Sequence, residues 1–81
     1  MNNKRRKELR SVIADLEAQS DKLNHEAGGE GEAYDNMPES LQDTEKGQIL
    51  EENSETLYRL QDDIDRAVEE LEKLIDTKPE D

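Results

Sequence analysis

From Leu50 onward an aliphatic residue returns at every seventh position: Leu50, Leu57, Ile64 and Leu71. Three residues after each comes a second column, Asn53, Leu60, Ala67 and Leu74, in which Asn53 is the single polar member, and Val68 and Ile75 complete the stripe. Columns with this spacing lie side by side on an α-helix and form a coiled-coil seam. The pattern predicts a helix over about residues 44–77, ended by Pro79 and the charged tail 78–81. A helix with one apolar stripe has to lay that stripe against another helix. The spacing therefore calls for a second helix elsewhere in the chain.

Leu9, Val12, Ile13, Leu16, Leu23 and Ala27 supply it, because they fall on one face at helical spacing. Asn2 or Asn3 can cap the start of this helix. Gly28 and Gly29 read as its stop, since glycine adopts the left-handed conformation found just past helix ends. The first helix is thus expected over about 3–27. A glycine-rich turn and elbow follow at 28–43, in which "DNMPES" reads as a helix start. Asp35 or Asn36 can accept from free N–H groups there, and Pro38 suits a first turn. Asn36 and Glu39 have capping-box spacing. A short helix of about Pro38 to Gln42 is expected, with Leu41 packing back on the bundle. "DTEKG" is a further start signal, and Gly47 within it reads as a weak point for helix. The fold expected is an all-α antiparallel hairpin with a short extra helix at its elbow. One narrow stripe per helix buries little, so two hairpins are expected to pair into a four-helix bundle. Leu57, Leu60, Ile64, Leu71 and the stripe of the first helix would form the oligomer seam.

Charge narrows the function. The chain has 23 acidic residues against 11 basic ones, a formal net charge of −12. Residues 1–10 hold Lys4, Arg5, Arg6, Lys7 and Arg10 against Glu8, a net of +4, which leaves −16 for the rest. Phosphate repels such a body, so direct nucleic-acid binding is disfavoured. A basic protein partner suits it better. The chain has no cysteine and no apolar run near the ~20 residues of a membrane span, nor a signal-peptide core after its basic start. A cytoplasmic protein with no cofactor is expected. Catalysis is not expected either. His25 has no serine or cysteine beside it to activate. The acidic pairs sit on solvated helix faces, with no reason for perturbed proton affinity. No calcium-loop or phosphate-loop motif occurs, and no metal site is expected.

Two clusters remain. Lys4, Arg5, Arg6 and Lys7 open the first helix, where cations oppose the helix dipole. In an antiparallel hairpin Glu69, Glu70, Glu72 and Asp76 at the end of the second helix could pair with them. Alternatively the four cations and the free helix N–H groups could hold an anion. At the elbow, Tyr34, Asp35, Asn36, Met37, Ser40 and Gln42 gather varied polar and apolar groups. Tyr34 and Met37 could cap the end of the bundle while Asn36 starts a helix. The same six could instead form a recognition surface, because loops on rigid scaffolds commonly carry binding.

The stretch "EAYDNMPESLQDTEKG", Glu32 to Gly47, resembles a segment that recurs in small, acidic, two-helix proteins encoded by phages and prophages. In them a pattern of the type E-x-[YF]-D-N-M-P-E-S-L-Q joins the helices. The resemblance covers residues 32–47 closely and the helices only in character, and the family has no established activity. It implies an accessory role, such as binding and disabling a host or anti-phage defence protein. Competing expectations are an oligomeric sponge for a nucleotide signal, with the basic cluster and the elbow of neighbouring subunits forming its pocket, and a structural helical spacer.

Overall fold

The computed structural model describes residues 1–77. Pro79 and the tail 78–81 lie outside the described residues. Three helices follow one another: α1 over Asn3–Asp35, α2 over Glu39–Gln42 and α3 over Glu45–Asp76. Helices α1 and α3 pack antiparallel along their length, and the Cα trace measures 64 × 14 × 12 Å. The elbow forms one end of this rod. The first turns of α1 and the last turns of α3 form the other, open end.

Asn2 caps α1, its side chain accepting from the Arg5 backbone N–H at 2.8 Å. The expected stop at Gly28 and Gly29 does not occur, for the helix runs on to Asp35. No glycine has a positive φ, so the conformation that would have ended the helix is not used. Glycine in a helix interior costs about 1 kcal/mol relative to alanine, and packing against α3 offsets it. Ser54 donates its hydroxyl to the Ala27 carbonyl at 3.0 Å. Gly31 lies where an added Cβ would stand 3.4 Å from the Ser54 hydroxyl.

The seam between the helices is heptadic on both sides. On α1 its positions are Arg6, Ile13, Ser20, Ala27 and Tyr34, alternating with Leu9, Leu16 and Leu23. On α3 they are Gly47, Ser54, Gln61, Val68 and Ile75, alternating with Leu50, Leu57, Ile64 and Leu71. One of the two columns expected on α3 is therefore in the seam and the other is not. The column Ser54, Gln61, Val68, Ile75 takes the place expected for Asn53, Leu60, Ala67, Leu74. The reason lies in α1, which meets it with Ser20 and Ala27. Ser20, 4% exposed, donates to the Asp65 carboxylate at 2.7 Å, and Ser54 finds the Ala27 carbonyl. These polar contacts pin the rotation of α3 about its axis and turn Leu60 and Leu74 outward, to 38% and 46% exposure. The apolar core lies toward the open end, where Ile13, Val68 and Ile75 are buried and Leu9, Leu16 and Leu71 pack against them.

Candidate functional site

The six expected elbow residues come together, and most of their polar groups are used internally. Tyr34 lies in the last turn of α1 and is half-buried. A hydrogen bond to the Glu51 carboxylate, aided by desolvation and by the charges of Glu51, Asp43 and Asp35, raises the Tyr34 phenol above its ordinary pKa. Gln42, the last residue of α2, turns its side-chain amide back onto α1. It donates to the Tyr34 carbonyl at 3.1 Å and to the Met37 carbonyl at 3.3 Å. One amide thus ties together two carbonyls at the end of a helix, where backbone acceptors lack intrahelical partners. Met37 is half-buried, and its N–H also donates to the Tyr34 carbonyl.

The helix start expected at Asn36 does not occur; Asn36 is the C-cap of α1, its own N–H donating to the Glu32 carbonyl at 2.9 Å. Pro38 holds the N-cap position of α2, with no side-chain cap, and the Asn36–Glu39 capping box is not formed. The Leu41 and Gln42 N–H groups donate to the Pro38 carbonyl at 2.8 and 3.2 Å. Asp35, Asn36 and Ser40 point to solvent. Leu41 does not pack back on the bundle; it is 47% exposed.

The residue that locks the elbow is Gly47. It is buried, and a Cβ on it would lie 2.3 Å from the Gln42 carbonyl oxygen and 2.8 Å from the Gln42 Cα. The backbone of α2 crosses α3 at a distance that only glycine permits. Gly47, expected as a weak point of the helix, is instead the residue this crossing requires. Its position at the third residue after the N-cap Thr44, whose hydroxyl accepts from the Gly47 N–H at 3.5 Å, was the signal for a tight start.

At the open end the four cations separate. Lys4, Arg5 and Lys7 are exposed. Arg6 occupies the seam, is 6% exposed, and donates to the Ile75 carbonyl at 2.9 Å and the Thr77 carbonyl at 2.8 Å. Its Nε has no partner among the described residues. The expected pairs with Glu69, Glu70, Glu72 and Asp76 do not form. Among the described residues the ion pairs are Arg5–Glu8, Arg59–Asp63 and Arg66–Asp63, all within one helix. The physical reason is that the seam delivers Arg6 to the carbonyl end of α3. Free acceptors and the negative end of the helix dipole meet there, and both N–H groups of the guanidinium fork can be used.

Two hollows of about 300 and 270 Å³ lie at this end. The first is lined by Met1, Asn2 and Arg5, the second by Arg10, Ile13, Glu17, Glu72, Ile75 and Asp76. The second carries three carboxylates and one cation, a poor receptor for an anion. Among the described residues no group of three or more histidine, cysteine or acidic side chains could hold a metal ion. No described helix is long and apolar enough to cross a membrane. The elbow and the basic turns stand at opposite ends of the 64 Å rod, so within one chain they cannot share a ligand. No protein-family model, no curated protein and no solved structure matches this chain.

Proposed function

We propose that the chain is a non-enzymatic accessory protein of phage type. In this reading it acts in the host cytoplasm, binding and inhibiting a host or anti-phage defence factor by protein–protein contact. Hairpins pair into a four-helix bundle, and the elbows meet the target. The observation that carries the proposal is the surface of the elbow end. Leu41 and Ile49 expose 47% and 48% of their area there. They lie in a stretch, residues 30–55, with nine carboxylates and a single lysine, a net of −8. Apolar anchors ringed by charge of one sign, on a backbone locked by Gln42 and Gly47, suit a partner with a basic surface. The test is affinity capture from host lysate with the wild-type chain and with Leu41→Asp/Ile49→Asp. One protein retained by the wild type, lost by the variant at equal helicity and released by salt, is the expected result. Equal retention by both would overturn the reading.

The exposed Lys4, Arg5 and Lys7 favour a second reading, a sponge that sequesters a nucleotide signal. Nucleotide extracted from the purified protein, and lost on replacing these three by Gln, would support it over the first.

A further inference from the structure

The apolar arc of α3 is wider than the seam that α1 covers. Val12 on α1 and Leu60, Ala67 and Leu74 on α3 all fall one place outside the seam on the same edge of the hairpin. Val12, Leu60 and Leu74 are 43%, 38% and 46% exposed. The opposite edge carries Arg10, Glu17, Asn24, Asp65 and Glu72, with Tyr58, 43% exposed, as its one large apolar side chain. A compact monomer of 9.3 kDa would expose about 5,000 Å², whereas this chain exposes 6235 Å². Helices of 33 and 32 residues, each about 50 Å long, give this edge room for the ~800 Å² per partner of a standard interface.

We infer that this edge is the interface to a second copy, docked antiparallel about a two-fold axis near Ala67, with α1 against α1 and α3 against α3. The inference rests on the self-association proposed above and adds its face, direction and register. Charge decides the direction. The edge of α1 is the column Arg5, Val12, Gln19, Glu26, Ala33. Residues 26–33 and 51–55 lie level with one another, as the Ser54–Ala27 bond fixes. Together they hold six glutamates and no cation. Parallel docking would set two such bands side by side. Antiparallel docking sets the +4 segment of residues 1–10 against the band of the partner and makes every neighbouring helix antiparallel, which also favours the helix dipoles.

The register follows from the hairpin itself. Ser20 meets Asp65 and Arg6 meets Ile75, so Ala67 lies level with the stretch between Val12 and Gln19. An axis at that level brings Leu60 to Leu74 of the partner subunit, Val12 to Gln19 of the partner subunit, and Arg5 to Glu26 of the partner subunit. Within its own chain Arg5 has only the loose pair with Glu8 at 3.9 Å, both side chains exposed. The basic turns meet the glutamate band short of the elbow, so residues 36–43 remain free at both ends of the dimer.

Two measurements test this. The chain has no cysteine, so single cysteines report proximity without background. Under mild oxidation, Ala67→Cys should cross-link to itself and Ala33→Cys, far from the axis, should not. Sedimentation should show Arg5→Glu and Glu26→Arg each weakening the dimer by roughly tenfold, with the double variant restoring it. A monomeric wild type would overturn this inference and the self-association reading together. A dimer in which Ala33→Cys cross-links as readily as Ala67→Cys, or in which the double variant gives no rescue, would overturn only the face and direction inferred here.

Discussion

The glycines divide sharply by what surrounds them. Around Gly28 and Gly29 there is open space, and both sit inside a helix at negative φ. Alanine at either site should stabilise the fold by up to ~1 kcal/mol, through propensity and a less disordered unfolded chain. For a domain of this size that is a rise of roughly 4–8 °C in Tm per site. Gly47→Ala should do the opposite, because its Cβ would meet backbone atoms of Gln42 that cannot swing aside. Thermal melts of the three variants check both signs, and a Gly47→Ala chain as stable as the wild type would refute the close crossing of α2 over α3. Tyr34 offers a test by pH. Its folded pKa is raised, so the fold holds the phenol proton more tightly than the unfolded chain does. The stabilising contribution is then complete below the ordinary tyrosine pKa of about 10 and is lost as pH rises through the folded value. In a Tyr58→Phe background, ultraviolet titration should place Tyr34 above ~10, and Glu51→Gln should bring it back down.

At the level of the helices, much could be read from the sequence. The aliphatic column at 50, 57, 64 and 71 follows from spacing, the Asn2 cap from capping chemistry, and the short helix ending at Gln42 from the proline before it. Two things could not be read. The end of α1 was hidden because glycine is neutral between stopping a helix and being carried through one; the partner Ser54 decides, and it lies far away in sequence. The rotation of α3 was hidden because two columns compete for one seam. Asn53, Leu60, Ala67 and Leu74 look at least as apolar as Ser54, Gln61, Val68 and Ile75, and only the hydrogen bonds across the hairpin separate them. In the elbow, Asn36 ends α1 instead of starting a helix, since which helix a cap belongs to depends on where the chain turns. The basic end makes the same point and yields a prediction. Arg6→Leu removes two charge-assisted bonds to carbonyls, worth ~1.5–3 kcal/mol each when buried. The bond to Thr77 is only part-buried, so a total loss of about 2–4 kcal/mol is expected. Lys4→Gln and Lys7→Gln, on exposed neighbours, should stay within ~0.5 kcal/mol. Urea unfolding of the three variants checks this, and equal effects at all three positions would show that general charge, not the seam position of Arg6, is what matters.

For the whole molecule the shortage of buried surface sets the behaviour. The buried apolar residues of the described chain are Ile13, Ala27, Val68 and Ile75, a small core for a rod 64 Å long. If association covers the edge at Leu60 and Leu74, the melting temperature should rise with protein concentration. Leu60→Asp should remove that dependence and lower the helicity read by circular dichroism at micromolar concentration. A melting temperature that stays constant over a hundredfold range of concentration would mean that the lone hairpin is sufficient.

The arrangement of the hydrogen bonds also imposes an order in time. Contacts at the elbow close loops of a few residues: Gln42 reaches back eight residues to Tyr34 and five to Met37. Those at the open end join Arg6 to residues 69 and 71 positions away. Because closing a longer loop costs more entropy before any contact rewards it, the hairpin should zip from the elbow outward and fasten at Arg6 last. Opening should run in reverse. The basic turns would then come loose many times for each complete unfolding, and their backbone amides would exchange with solvent well before those of the elbow.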